Sequence, residues 1–338
     1  MDICIGYENI PQSIVEKLMD APLFYSSSYY ENIKFRKQKA IYIWSDTAIM
    51  MARVKTVLIM KAALLECEPY FFTGKQNDDY RQFLDEAMGL LKKIGVQWTI
   101  TTNTARFQSY PSNAKVIRSG NYIMDLTLTE EDLWSRMHSK HRNAVRRGEK
   151  AEMSLCFGGQ ELAVIYTNIS RETYERSGMK ESSSDYYRSL MQCLDDKSII
   201  GIVEKDQRTQ AAGMFLYSSA IGYYLHGAST THPEPGSTNY LLWRSIILMK
   251  EKGVKKFSFV GYHVDAEQGS KLYGIQKFKE RFGGELELCY SFKYIHNKFM
   301  YGVYCFAMRI LSGDLHKKYF DAIDAQVKHF PELNKKAK

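Results

Sequence analysis

The sequence lacks the residue patterns that mark a structural metal site or a disulfide framework. None of its cysteines form a CxxC pair, and no histidines cluster at the spacing of metal ligands. A zinc site is therefore not predicted. Dispersed cysteines without a recognisable signal peptide are typical of a reducing compartment, so we expect a cytoplasmic protein. The six cysteines are Cys4, Cys67, Cys156, Cys193, Cys289 and Cys305.

Long apolar runs and phosphate-binding loops are missing as well. The longest apolar candidate, residues 299–311, is shorter than the ~18 residues needed to span a bilayer and contains Arg309. We predict a buried helix there. Gly74, Gly120 and Gly201 fit no phosphate-loop pattern, and no Ser/His/Asp or Cys/His set has a spacing that predicts a nucleophilic enzyme.

The composition is that of a soluble globular protein with room for two domains. The chain has 338 residues, of which 45% are hydrophobic and 25% charged. Its 24 Tyr and 17 Phe indicate β-rich packing more than aromatic-lined clefts. The formal net charge of +8 suits an anionic partner such as tRNA, a nucleotide-linked sugar or coenzyme A, but it equally suits a mildly basic enzyme.

The order of predicted elements suggests one plan used twice. In the second half, helices at 162–176 and 184–194 precede three strands, a helix at 238–252, a strand at 256–260, a helix at 268–282 and a last strand. This is the order of a GNAT acyltransferase domain. The first half has a looser version of it, with strands at 40–44 and 48–61, a helix at 77–94, and strands at 96–101 and 115–128, the last broken near 119–121.

We therefore predict an α/β protein with a mixed sheet, built as a tandem GNAT-like fold with a C-terminal helical tail. The expected domains are residues 1–150 and 151–295, followed by the tail at 296–338. The first would end in a basic helix at 130–148, opened by Thr129 as its cap. That helix also allows a different function, RNA binding without chemistry.

Four segments carry a more specific resemblance. The chain resembles the FemABX group of the GNAT superfamily, also called BioF2-like, which includes the aminoacyltransferases of peptidoglycan bridges. The matching segments are the basic helix from Leu133 to Arg147, the stretch Arg176-Ser177-Gly178 with Tyr186-Tyr187, the strand end Tyr224 to Ser229, and the run Gly274 to Gly284 with its Phe278-Lys279 pair.

The resemblance implies a substrate channel across two domains and transfer without an acyl-enzyme intermediate. Lys279 takes the position that stabilises the developing oxyanion, which fits the physics of a cation near a reacting carbonyl. Without the resemblance, the sequence shows only that Lys279 shares a short predicted helix with three other cations. The competing interpretation is therefore that Lys279 lies on a solvent-exposed face of that helix.

Further site residues follow from the same comparison. His226 is a candidate proton acceptor and either Asp265 or Glu267 a candidate base, although a structural histidine and an exposed loop are the alternatives. Two departures from the family pattern, Ser182 and His226, argue against a UDP-muramyl-peptide acceptor. The substrate-binding candidates are Tyr186, Tyr224, Arg176, Phe278 and Lys34.

The donor site is predicted at the turn into the helix after residue 236. Backbone N–H groups at a helix start can hold a pyrophosphate, and the candidates are Gly236, Ser237, Thr238 and Asn239. Only Gly236 fits the usual coenzyme A pattern well, so a helix capped by Ser237 or Thr238 is the alternative.

The sequence thus favours an N-acyltransferase that moves an acyl or aminoacyl group from acyl-CoA or aminoacyl-tRNA to an amine on a cell-envelope precursor. We expect these donors as co-substrates, with no permanently bound cofactor and no metal. The tail aromatics, which include Phe306 and Tyr319, would dock on the protein body, on a partner or at a membrane surface. A catalytically inactive GNAT scaffold that binds a partner is the remaining alternative. The oligomeric state is left open.

Overall fold

The computed structural model describes residues 1–73, 79–177, 184–264 and 266–334. They form a mixed α/β fold, which confirms the predicted fold class. The strands are β1 Asp2–Ile5, β2 Lys39–Trp44, β3 Ala48–Val57, β4 Met60–Leu65, β5 Tyr70–Phe71, β6 Val96–Thr101, β7 Lys115–Asp125, β8 Ser154–Gly158, β9 Ser198–Lys205, β10 Arg208–Tyr217, β11 Gly222–Ser229, β12 Lys256–Ser258, β13 Tyr262–His263 and β14 Glu285–Ile295.

The helices lie between and after these strands, singly or in consecutive pairs. They are α1 Gln12–Val15, α2 Ser27–Phe35, α3 Tyr80–Lys93, α4 Glu130–Arg136, α5 Ser139–Lys150, α6 Ala163–Arg176, α7 Ser184–Leu194, α8 Ser237–Glu251, α9 Lys271–Glu280, α10 Lys298–Ser312 and α11 Ala322–Gln326. Within the described ranges, no helix is long and apolar enough to cross a membrane.

The chain divides into two compact units, each made of separate chain segments. Unit 1 contains Met1–Asn121, Gly261–Glu267 and Leu288–Lys338, and unit 2 contains Tyr122–Val260 and Gln268–Glu287. The basic segment α4–α5 and the Phe278-Lys279 pair therefore share unit 2. The domain limits expected from the sequence, at residues 150 and 295, stay a prediction, since compact units and folding domains need not coincide.

Unit 2 is built on a meander followed by one crossover. Strands β8, β9, β10 and β11 pair antiparallel in that order. Helix α8 then leads to β12, which pairs parallel to β11, and the end of β7 pairs antiparallel with β12. A parallel neighbour requires such a crossover, and a helix supplies it.

Unit 1 repeats this order with other strands. Strands β1 to β4 pair antiparallel, α3 forms the crossover, and β6 pairs parallel to β4. The end of β14 pairs antiparallel with β6. The apolar stripe predicted on α3 is buried against the strands, as its spacing indicates.

Four sequence predictions about elements were wrong. The helix predicted to be buried at 299–311 forms as α10, but Phe299, Phe306 and Ile310 on it are exposed. The expected strand at 48–61 is two strands, because the chain turns at Leu58-Ile59 with Leu58 in the left-handed region at φ 56°. The break expected near 119–121 is absent, since β7 is continuous. The basic helix expected at 130–148 is two helices, since Met137 and His138 are extended and the His138 side chain accepts from the Lys140 N–H.

A buried ion cluster fastens the tail to unit 1. Lys293 on β14 is fully buried, and its Nζ lies 2.7 Å from an Asp321 oxygen and 2.6 Å from an Asp324 oxygen. The Lys293 ammonium also donates to the Tyr301 hydroxyl at 2.8 Å. Burial alone would raise the pKa of the Asp324 carboxyl, but hydrogen bonding and charge from Lys293, with Lys115, hold it below its usual value. The ammonium is therefore the centre on which β14, α10 and the segment leading to α11 converge.

Replacing Lys293 by Met should destabilise the protein by about 3–5 kcal/mol, because the Asp321 and Asp324 carboxylates would lose their buried partner and only Asp324 would keep a cation, Lys115. Urea unfolding measures the change, with Lys328→Met, an exposed lysine of the same tail, as the control. A loss no larger than that of the control would contradict a structural role for the cluster.

Candidate active site

A cleft opens in unit 2 where two parallel strands separate. Strands β11 and β12 pair only at Gly222–Phe257 and Tyr223–Ser258. Beyond these pairs lies a cavity of about 510 Å³. Its walls come from β11, from the end of β12 and from α9: Tyr224, Leu225, Gly227, Phe259, Val260, Lys271, Gly274, Ile275, Phe278 and Lys279. In unit 1 the corresponding strands, β4 and β6, stay paired as far as Leu65–Thr101.

The β11 wall is shaped by a bulge and a glycine. Met214 pairs with His226 and Phe215 with Tyr224, so Leu225 is the extra residue of the bulge. The Tyr224 ring stacks on Phe215 with centroids 5.4 Å apart. A Cβ on Gly227 would overlap the Tyr224 hydroxyl, so only glycine leaves room for the ring there. Burial raises the pKa of Tyr224, which keeps the phenol neutral and able to donate.

Lys279 extends from α9 to the opposite strand end. Its Nζ donates to the main-chain oxygen of Val260, and the side chain is half-buried. Burial lowers the pKa of Lys279 to about 8, so the ammonium form still dominates at pH 7. The predicted oxyanion residue therefore presents a partly desolvated cation to the cleft.

The other cations of α9 have different surroundings. Lys277 pairs with Glu280 at 2.7 Å, both about half exposed, and Lys271 donates to the Ser177 hydroxyl at 2.9 Å. The solvated-face interpretation thus describes Lys277, whereas Lys271 and Lys279 line the cavity.

The backbone at the strand end is strained. Val260 has φ 42°, a left-handed value that is unfavourable for a β-branched residue. Its N–H donates to the Ser258 hydroxyl at 3.2 Å, and its carbonyl accepts from Lys279. Such strain costs on the order of 1–3 kcal/mol and is found most often at functional sites. The strained conformation directs the Val260 carbonyl toward Lys279, which indicates that this strand end belongs to a functional site.

Helix α5 holds the helix that carries Lys279. His141 Nε2 donates to the Phe278 carbonyl at 2.9 Å, and the His138 N–H donates to the Arg281 carbonyl at 2.9 Å. The His141 ring also packs against Phe278 and Phe282. Burial lowers the pKa of His141 to about 4, so the ring is neutral at neutral pH. Sequence reasoning placed His141 in the basic motif but missed this positioning role, since only the fold shows which carbonyl it meets.

His226 contacts helix α7. Its Nε2 lies 3.0 Å from the Tyr186 hydroxyl, and its ring also contacts Tyr187. Burial lowers the pKa of His226 to about 4, so it is neutral at neutral pH. The structure thus brings together two predicted residues, Tyr186 and His226, while Tyr224, Phe278 and Lys279 share the cavity.

The remaining candidates have other surroundings. Arg176 joins the end of α6 to the end of β11, donating to the Ser229 carbonyl at 2.8 Å. Lys34 lies on α2 of unit 1, exposed and paired with Glu31 at 3.0 Å. Asp265 and Ser182 lie outside the described residues. The roles expected for all of these stay predictions.

The predicted donor turn is packed against α5. Gly236 is the cap of α8 at φ 95°, and no side chain caps this helix, so neither Ser237 nor Thr238 is its cap. A Cβ on Gly236 would overlap the Ala144 carbonyl oxygen of α5. Ser237 is buried, while Thr238 and Asn239 are partly exposed. The described residues contain no group of His, Cys, Asp or Glu that could hold a metal.

A meander, a crossover helix and a cleft between separating parallel strands define the architecture of the GNAT acyltransferases. The chain has a fold of this kind and resembles the FemABX group, since a FemAB family model matches residues 50–210. The matched range includes α5 and Tyr186 and ends before β11. No curated protein matches the sequence.

Solved structures show the same fold at low sequence identity. FemX is 14% identical with a TM-score of 0.65, covering 90% of this chain and 99% of that one. The C-terminal domain of a lysylphosphatidylglycerol synthetase from Agrobacterium fabrum is 13% identical with a TM-score of 0.54, covering 88% of this chain and 95% of that one. A tandem GNAT protein of the clavulanic acid pathway is 10% identical at 0.50, with 88% and 99% covered. Family match and fold together support a transferase.

Replacing His141 by Phe should keep the ring packing but leave the Phe278 carbonyl without its donor. We expect a loss of about 1–3 kcal/mol in the free energy of unfolding, measured in urea. His316→Phe, at an exposed histidine of the tail, should change stability little. Equal stabilities of the two variants would show that the His141 contact does not hold α9.

Proposed function

We propose that this protein transfers an aminoacyl group from aminoacyl-tRNA to an amine on a cell-envelope precursor. The observation that carries the proposal is the Lys279 ammonium, which lines the cleft between β11 and β12 and which the FemABX resemblance predicts as the oxyanion residue. The family match and the fold support this class of reaction over a non-catalytic scaffold.

The chemistry requires few protein groups. A neutral amine of the acceptor attacks the ester carbonyl, a C–N bond forms, and the C–O bond to the ribose breaks with transfer of the amine proton to the departing oxygen. Negative charge develops on the carbonyl oxygen before that bond breaks. An ammonium has three N–H donors, so Lys279 can keep the Val260 carbonyl and still donate to the oxyanion. In a partly desolvated cleft, this interaction is stronger than in water.

Two features of unit 2 favour tRNA over coenzyme A as the donor. The N-terminus of α8, where a pyrophosphate would sit, is packed against α5 at Gly236. The segment from residue 136 to residue 150 carries six basic residues and one acidic residue. Its exposed cations suit a phosphate backbone: Arg136, Lys140, Arg146, Arg147 and Lys150.

On the acceptor side, the pair of Tyr186 and His226 is the best candidate for contacts with the precursor. Both side chains are half-buried, and both offer neutral hydrogen-bonding groups. Burial lowers the pKa of His226 to about 4, which makes the imidazole a weak base, so the pair is proposed for hydrogen bonds to the precursor and the amine proton goes to the departing oxygen. The acceptor is proposed as a peptidoglycan or polysaccharide precursor, by resemblance to the FemABX group.

RNA binding by α5 without chemistry is the competing function. It predicts binding that weakens steeply with salt and that does not depend on Lys279. An inactive scaffold predicts no donor binding at all. A variant that changes the cleft and leaves α5 intact distinguishes these two alternatives from the proposed transfer reaction.

Replacing Lys279 by Met should lower single-turnover transfer from charged tRNA by about 10²–10³-fold, because the cation that stabilises the oxyanion is lost. Transfer of a radiolabelled amino acid to an envelope-precursor extract measures it. Lys277→Met, on the same helix but paired with Glu280 at the surface, is the matched control and should stay active. Equal rates for the two variants, or binding of tRNA without transfer by the wild type, would contradict the proposal.

The same cation sets the expected pH dependence. Because the pKa of Lys279 is lowered to about 8, the ammonium is lost as the pH rises through that value, and the rate should fall above it. Lys279→Arg, which keeps its charge, should retain activity at higher pH to the extent that it fits. A wild-type rate that keeps rising beyond pH 9 would argue against a cationic Lys279.

A further inference from the structure

Helix α10 of the tail is apolar on two opposite faces, although only one of them packs on the protein. Toward the body, Tyr301 and Tyr304 pack on Trp98, with ring centroids 5.5 and 4.5 Å apart. Docking on the body, one of the three alternatives for the tail aromatics, therefore accounts for this face. It does not account for Phe306 or Tyr319, which are exposed.

The outer face is a single apolar stripe. Phe299 is 78% exposed and Phe306 60%, and Val303 and Ile310 are exposed between and beyond them. Spacings of four, three and four residues place all of these side chains on one side of a helix. At 1.5 Å per residue the stripe is roughly 17 Å long. Leu311 and Leu315 continue the apolar surface past the stripe.

The hairpin of β3 and β4 is a second place in unit 1 with exposed apolar side chains. The hairpin of β3 and β4 joins the α10 cluster through Val57 and Met60, which pack with Tyr301 and Tyr304. The two residues at its tip, Leu58 and Ile59, are exposed. Because both aliphatic side chains are exposed, they contribute little to the packing of unit 1.

The charges around the stripe have one dominant sign. Helix α10 contains no acidic residue, and from residue 298 to 319 the only acid is Asp314. The cations of this segment are Lys298, Arg309, Lys317 and Lys318. An apolar face bordered by cations complements a surface whose interior is apolar and whose head groups are anionic.

We propose that α10 and the β3–β4 hairpin tip bind the surface of an anionic phospholipid bilayer, with α10 lying in the interface. The helix has 15 residues, so it lies on the bilayer and does not cross it. The Phe side chains enter the acyl boundary, and the exposed ammonium groups of Lys298 and Lys318 meet the head groups. The binding surface consists of unit 1 residues alone.

Vesicle flotation of the full chain tests this proposal. Wild type should float with vesicles of phosphatidylcholine and phosphatidylglycerol, bind pure phosphatidylcholine more weakly, and lose binding as salt is raised. The double variant Phe299→Ser/Phe306→Ser should bind the anionic vesicles at least roughly tenfold more weakly. The control Met19→Ser/Val164→Ser removes apolar side chains that are 88% and 64% exposed elsewhere, and it should bind as wild type.

Three results would overturn the proposal. The first is no flotation of the wild type with anionic vesicles, and the second is equal binding to neutral and anionic vesicles. The third is a wild-type dimer in light scattering that the double variant makes monomeric, without vesicle binding, since a second copy of the chain would then cover the stripe. Circular dichroism and urea unfolding of the double variant, compared with wild type, distinguish a loss of flotation from a loss of structure.

Discussion

The candidate site depends on the place where hydrogen bonding between two parallel strands stops. After the pair of Tyr223 and Ser258, β11 and β12 no longer bond to each other, and the backbone groups they would have paired need other partners. At Val260 the N–H is taken by the Ser258 hydroxyl and the carbonyl by the Lys279 ammonium. The cation that we propose for catalysis is thus also the group that satisfies the open strand end, and the strained Val260 backbone is what aims that carbonyl at it.

The basic motif has a structural role in addition to its charged surface, because α5 packs against both α9 and α8. His141 donates to the Phe278 carbonyl with its side chain, and His138 donates to the Arg281 carbonyl with its main-chain N–H. These two hydrogen bonds hold α9, the helix that carries Lys279. The small residues of α5, Ala144 and Gly148, let α8 approach closely at Gly236 and Tyr240. The exposed cations lie on the side that neither contact uses. One short helix therefore both positions the catalytic candidate and offers the surface that suits an RNA donor.

Much of the fold was predictable because it follows from hydrophobic periodicity and turn chemistry. The stripe of α3, the meander of β9 to β11 and the crossover by α8 are all readable in the sequence. The predictions that were wrong concern places where local signals are weak. Leu58-Ile59 turns the chain without Gly or Asn, and Met137-His138 breaks a helix without Gly or Pro. The discontinuous units were also beyond sequence reasoning, because β7 and β14 each contribute residues to both.

The site residues also divide into those that the sequence predicted and those that only the structure shows. Lys279, Phe278 and Tyr224 were found through their pattern, and the fold brings them to one cavity. Ser258 and His141 use their side chains to contact backbone atoms of other residues, and Val260 contributes its own N–H and carbonyl, so the sequence does not show which backbone atom each contact involves. Such residues can be identified only once the strand ends and helix ends are placed.

The most direct test of the account is a thermal-shift comparison of charged tRNA, uncharged tRNA and acyl-CoA. A ligand at 100 times its dissociation constant adds ~2.7 kcal/mol to the stability of the folded state. The account predicts stabilisation by charged tRNA that exceeds that by uncharged tRNA, and little or none by acyl-CoA. Stabilisation by acyl-CoA with none by charged tRNA would contradict it, since a thioester donor would then use the cleft.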